Sequence, residues 1–195
     1  MAVEITSVRG HLIEPYRDAL AALRIRVFRD WPYLYDGTLD YEREYLQHYI
    51  DADLGLMVLA LDNGTLVGAS SGLPMPAADA AFQSPFKSGQ PTPAEIFYFG
   101  ESVLEADYRG RGIGHQFFDQ REAFARQSDF PFAAFCAVQR PADHPLRPVQ
   151  SRALEPFWRA RGYQPLDGKR REFNWTDVGE RQTSIKPMQF WGKWL

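Results

Sequence analysis

Gly100-Glu101-Ser102-Val103-Leu104-Glu105-Ala106-Asp107-Tyr108-Arg109-Gly110-Arg111-Gly112-Ile113-Gly114 is the stretch on which the fold turns. The apolar run Ile96 to Leu104 reads as a strand that ends inside it. Residues from Arg111 to about Gln127 read as a helix, with Ile113, Phe117 and Phe124 toward a core. Between them stand glycines at alternate positions, 110, 112 and 114. Glycine lets the backbone approach a ligand closely and adopt angles that other residues avoid. The unpaired N–H groups of a helix start, with the positive dipole end behind them, form an anion site. Arg109 and Arg111 add fixed charge suited to phosphate oxygens.

Two common phosphate motifs fail on residues. A dinucleotide fingerprint needs a sixth-position glycine, and counting from Gly110 that position is His115. Its acidic residue after the next strand is missing too. A P-loop needs Gly-Lys-Ser/Thr, but Gly114 is followed by His115 and Gln116. The blander alternative is a turn that only packs a helix tightly. Packing does not call for two arginines beside three glycines.

Arg109-Gly110-Arg111-Gly112-Ile113-Gly114 resembles the Arg/Gln-x-x-Gly-x-Gly/Ala signature of the GNAT superfamily of N-acetyltransferases. Leu104 to Tyr108 resembles the segment that leads into that signature. Phe157-Trp158-Arg159-Ala160-Arg161-Gly162-Tyr163 is similar to its last-helix pattern, commonly aliphatic-Tyr-x-x-x-Gly-Phe. The order of elements is similar as well, over nearly the whole chain.

The resemblance implies one α/β (α+β) domain over residues 1–195, a mixed and mostly antiparallel sheet flanked by helices and splayed near Leu104. It implies acetyl-CoA as co-substrate and a small-molecule or peptide amine as acceptor. The backbone at Val103 and Leu104 would pair with the pantetheine arm and polarise the thioester carbonyl. Arg109, Gly110, Arg111, Gly112, Ile113 and Gly114 would take the pyrophosphate, and Trp158 would lie beside the coenzyme. An amine with a pKa of about 10 must lose a proton before attack. Glu101, which interrupts an apolar run, is the candidate base, with Glu95 a weaker one. An internal hydrogen bond is the competing role for Glu101. His144 is either a site-lining or a surface loop residue. Trp158 stands where the pattern often has a tyrosine acid, and an indole N–H is no such acid. Tyr98 then serves as acid, or the thiolate leaves unassisted. A non-catalytic acyl-CoA-binding module and a nucleotide-binding regulator are the other readings.

Elsewhere the sequence is plainer. At 195 residues, 45% hydrophobic and 14% aromatic, the chain can bury a sizeable core. A net charge of -3 provides no field for nucleic acid. Cys136, the single cysteine, lies among apolar residues and reads as a buried thiol, with a nucleophile as the sharper alternative. Four scattered histidines give no support to a metal site. With no membrane-length apolar run and no signal segment in Met1 to Ile5, a cytoplasmic protein is expected.

A first strand is expected at Val3 to Val8, helices over Pro15–Trp31 and Tyr41–Ile50, and a hairpin turning at Asn63-Gly64. Residues 74–95 form a long loop that covers a site or moves. Strand Phe130–Val138, helix Ser151–Arg161 and a late strand Phe173–Trp175 follow. The aromatic tail Phe190 to Leu195 packs on the body or on a second subunit of a homodimer.

Overall fold

The computed structural model describes residues 3–195; Met1 and Ala2, where the N-terminal reading begins, lie outside the described residues. Strand β1 (Glu4–Arg9) leads through a 3-10 segment to helices α1 (Arg17–Phe28) and α2 (Leu39–Asp51). Strands β2 (Leu56–Asp62) and β3 (Thr65–Pro74) form the expected hairpin. Asn63 and Gly64 both take positive φ at its tip, 49° and 79°, as a tight primed turn requires. Residues 74–95 break into short helical pieces, including α3 (Ala80–Gln83), and their Phe86 is fully buried. The loop is thus a packed cover.

Strands β4 (Ile96–Tyr98) and β5 (Ser102–Leu104) precede α4 (Ile113–Gln127). Strand β6 (Phe132–Val138), helix α5 (Glu155–Ala160) and strands β7 (Gln164–Trp175) and β8 (Ser184–Trp194) complete the chain. The eight-stranded sheet runs β1-β2-β3-β4-β6-β8-β7, with β5 on β3. Among the described residues, only β4 and β6 pair in parallel. The fold is therefore mixed α/β with a mostly antiparallel sheet. Among the described residues, no helix is long and apolar enough to cross a membrane.

Both faces of the sheet are covered, so β2 is buried on alternate residues in both directions. Met57 and Leu59 join Leu20, Leu23, Leu46 and Tyr49 of α1 and α2. Val58 and Ala60 join Phe117 and Phe118 of α4 on the other face. The two cores meet only through the sheet.

Three expectations change. The single strand Ile96–Leu104 is two strands, broken at Phe99-Gly100-Glu101. The last helix begins at Glu155 instead of Ser151, with proline at its start, where proline is tolerated. The late strand is twelve residues long, and its charged middle hid it. The aromatic tail packs on the body: β8 pairs β6 and β7, and Phe190 and Trp191 are buried.

Candidate active site

The break in the sheet creates the site. Phe99 N–H still reaches across to Ala134 O at 2.8 Å, but Gly100 N–H turns back to Ser71 O at 3.2 Å. Ser71 N–H donates to Glu101 O at 3.0 Å. From there β5 pairs only with β3, and β6 beyond Ala134 pairs only with β8. A wedge opens between β5 and β6, flanked by Val103 and Leu104. Gly100 is required at its apex, because a Cβ there would stand 2.0 Å from the Tyr49 hydroxyl.

Arg121 of α4 holds the apex from below. Its Nη1 donates to Ser71 O and Glu101 O at 3.2 and 3.1 Å, and its Nη2 to Ser102 Oγ at 2.9 Å. The guanidinium lies over the rings of Phe99 and Phe118, at 4.3 and 4.8 Å. Burial lowers it to about 10, so it remains charged at neutral pH.

Past β5 the chain makes the glycine turn. Gly110 and Gly112 have φ of 77° and 80°, and a Cβ at either would meet nothing within 4 Å. These glycines are needed for backbone conformation, and the space above them is open. Helix α4 starts at Ile113, and His115 N–H is the first to bond back, to Gly112 O at 3.0 Å. Among the described residues, no backbone oxygen accepts from the N–H groups of Arg111, Gly112, Ile113 or Gly114. Free N–H groups at the start of a helix have the geometry that suits an anion. Arg111 is exposed, over the Tyr108 ring at 5.0 Å. Arg109 is more committed: its Nε donates to Leu104 O at 3.1 Å, and its Nη2 lies 3.6 Å from Asp30.

On the α1/α2 face a cavity of about 170 Å³ lies beside the apex, reaching Cys136 and Met188 beyond the split. Glu101 lines it but is not alone in an apolar run. It pairs with the buried Arg24, which pairs on its other edge with Glu42. The Tyr45 hydroxyl donates to Glu101 Oε2 at 2.9 Å. Burial alone would pull the Arg24 guanidinium down, but the charges of Glu101 and Glu42 outweigh it and keep Arg24 protonated. Burial and then the Glu101 charge raise the Tyr45 phenol, so it stays a hydrogen-bond donor. A shallower depression of about 360 Å³ on α2, lined by Glu44, His48 and Asp51, contains none of these groups.

The other sequence candidates scatter. Tyr98 lines the cavity with its Oη 3.1 Å from Cys136 Sγ, and burial followed by Cys136 raises its phenol well above the ordinary value. Trp158 lies on the opposite face, packed on Phe135 and Trp191 at ring-centroid distances of 5.0 and 5.1 Å. Glu95 caps a 3-10 turn, and the Thr92 backbone N–H and then its hydroxyl hold the Glu95 carboxyl below its ordinary value. His144 packs its ring on Trp31 at 5.2 Å. Among the described residues, no cluster of three His, Cys, Asp or Glu side chains is placed to hold a metal. Sequence reasoning missed Arg24, Glu42 and Arg121. The only signal was a charge on an apolar helix stripe, as with Arg24 between Leu20, Leu23 and Phe28.

The architecture has many relatives. The chain superposes with a TM-score of 0.62 on ribosomal-protein-alanine N-acetyltransferase from Brucella melitensis, at 15% identity over 97% of this chain and 99% of that one. The IAA acetyltransferase from Bacillus cereus gives 0.57 at 12% identity, covering 100% of both chains. An acetyltransferase from Thermus thermophilus gives 0.59 at 14%, over 100% of this chain and 98% of the other. At these identities the likeness is one of fold. No curated protein matches the chain by sequence. A sequence model of the acetyltransferase (GNAT) family does match, over residues 20–149, which takes in most of α1, the broken strand and the glycine turn. The chain belongs to the GNAT family of acetyltransferases.

Proposed function

We propose that the protein transfers an acetyl group from acetyl-CoA to a primary amine on a small molecule or peptide, in the cytoplasm. The observation that carries this reading is the break at Glu101, where β5 parts from β6 ahead of the glycine turn and the Glu101 side chain lines the cavity. The N–H groups of Arg111 to Gly114, with the Arg111 side chain, suit a pyrophosphate. Strand β5 has no strand partner on its side away from β3, and that edge beside Val103 and Leu104 suits the amides of a pantetheine arm, with Leu104 O already taken by Arg109 Nε. Bound there, the coenzyme supplies an activated acyl thioester.

Glu101 takes one proton from the ammonium form of the acceptor. The freed nitrogen attacks the thioester carbonyl, a C–N bond forms as the C–S bond breaks, and the second N–H proton ends on the departing sulfur. Trp158 gives no acid assistance to that departure. Glu101 later returns its proton to solvent.

The test is calorimetric titration with acetyl-CoA, followed by thiol release with a panel of amines. Binding with amine-dependent release is expected. Tight binding without release from any amine would favour an acyl-CoA-binding module, which the tryptophan at 158 keeps in view. No binding at all overturns the reading.

A further inference from the structure

Residues 105–109 link β5 to the glycine turn, and side chains tie this link to two parts of the fold. On one side, Arg26 of α1 reaches Glu105 Oε1 with both Nε and Nη2 at 2.9 Å. Arg109 bonds Leu104 O and lies 3.6 Å from Asp30, just past α1. On the other side, the Tyr108 hydroxyl donates to Asp62 Oδ2 at 2.6 Å, which ties the link to the β2–β3 hairpin. Asp62 ends β2 and is itself steadied by Asn63, whose side-chain amide donates to its Oδ1 at 3.0 Å.

The two arginines of the turn differ in what holds them. Arg109 is engaged by Leu104 O and Asp30. Arg111 is exposed, and its guanidinium rests 5.0 Å from the centre of the Tyr108 ring. Ring faces attract cations, and the donors of a guanidinium lie around its planar edge, where a ligand can still reach them. The hydrogen bond to Asp62, and burial after it, raise the Tyr108 phenol above its ordinary value. The phenol therefore stays a neutral donor at neutral pH. Donation to a carboxylate also pushes electron density onto the ring, which strengthens its hold on a cation.

A long, exposed arginine loses rotamer freedom when it binds a phosphate. One already seated on a ring loses less, so the seat adds affinity without touching the ligand.

We propose that Tyr108 is a positioning residue for coenzyme binding. Asp62 holds it to the hairpin, and its ring holds the Arg111 guanidinium for the pyrophosphate. This rests on the acetyl-CoA reading above and names what presents that side chain.

The test is a double-mutant cycle on the full chain, read by calorimetry with acetyl-CoA. Tyr108→Leu should weaken binding about two- to fivefold, the worth of a cation on an exposed ring. Its affinity should also depend less on salt than that of wild type, as for Arg111→Ala. In the Arg111→Ala background the same replacement should leave affinity unchanged, because the group it positions has gone. Tyr108→Phe removes the tie but keeps the ring, and Asp62→Asn leaves the hydroxyl only a neutral acceptor. Each should weaken binding by a smaller factor, and only while Arg111 is present. A merely structural Tyr108 would disturb the N–H groups of the turn and weaken binding equally in both backgrounds. Additive losses therefore overturn the inference, and so does an Arg111→Ala protein that binds as tightly as wild type. Thermal melts show which variants are folded, and Tyr108→Phe decides the cycle if Tyr108→Leu does not fold. If wild type binds acetyl-CoA and the losses add, this inference alone falls. If wild type does not bind acetyl-CoA, the acetyl-transfer reading falls and this inference with it.

Discussion

Cys136 Sγ lies 3.1 Å from the Tyr98 hydroxyl, and burial pushes its thiol up to about 12, with the Tyr98 hydrogen bond offsetting only part of the shift. The thiolate is the reactive form, so a thiol reagent at pH 8 should leave the folded protein unmodified and label it fully in denaturant. Rapid labelling of native protein would restore a nucleophilic role. Glu101 makes the opposite case, as the proposed base. Glu101→Gln keeps the shape, and Glu42 still neutralises Arg24, so the fold should survive. Turnover should drop by roughly 100–10,000-fold with acetyl-CoA affinity intact, because the amide cannot accept the proton. A stable variant with wild-type turnover would leave Glu101 a structural role, in its ion pair with Arg24 and its hydrogen bond from Tyr45. The sequence pointed to Glu101 as a carboxylate in an apolar run. Its partners Arg24 and Tyr45 lie 77 and 56 positions away, so chain spacing could not bring them together.

The seam between the α1–α2 loop and the β7–β8 turn depends on Asp177. Burial alone would raise its carboxyl, but the hydrogen bonds from Arg140 and Lys186 outweigh that and hold it below its ordinary value. A carboxyl whose folded value lies below its unfolded value of about 3.9 stabilises the fold above that pH. The contribution is lost as pH falls through the folded value. Thermal melts should therefore show an acid limb below about pH 4, and Asp177→Asn should flatten it. The variant should also lose about 3–5 kcal/mol at neutral pH, since two buried cations keep no carboxylate between them. A variant with an unchanged acid limb would place the titration elsewhere. Arg121 plays a comparable role at the broken strand. Arg121→Met removes one donor from Ser71 O and one from Glu101 O, which keep the Gly100 and Ser71 N–H groups, so each lost bond should cost about 0.5–1.5 kcal/mol and the melting temperature should fall accordingly. The sequence shows the strand from Ile96 but not its break: Gly100-Glu101-Ser102 interrupts the apolar run, but a strand can carry such residues, and the break itself comes from tertiary contacts at Gly100. Strand β7 escaped notice for another reason. As an edge strand it is largely exposed, and its charged residues mask the period-two pattern.

Over the whole molecule, element order and turn chemistry were legible, because strand, glycine turn and helix are local signals. The cavity beside Glu101 was not, because it is assembled from both ends of the chain. The same geometry leaves one thin joint. Strands β4 and β6 pair over Ile96↔Phe132, Phe97↔Ala133 and Tyr98↔Ala134, and beyond that joint the sheet divides. A coenzyme that seats on the β5 edge and on the N–H groups of the turn requires the folded chain. Ligand at 100 times its dissociation constant should stabilise the fold by about 2.7 kcal/mol. For a chain of this size that is a rise of roughly 5–10 °C in melting temperature. Gly112→Val is the control. Valine at a φ of 80° is strained, so its own melting temperature should start lower, while its side chain intrudes on the open space above the turn. The folded variant should show no shift at the same acetyl-CoA concentration. Arg111→Ala should keep a reduced shift that depends less on salt than the wild-type one, since the exposed guanidinium is the screened part of the interaction. Equal shifts in Gly112→Val and wild type would mean that the coenzyme binds elsewhere and that these glycines only shape the start of α4.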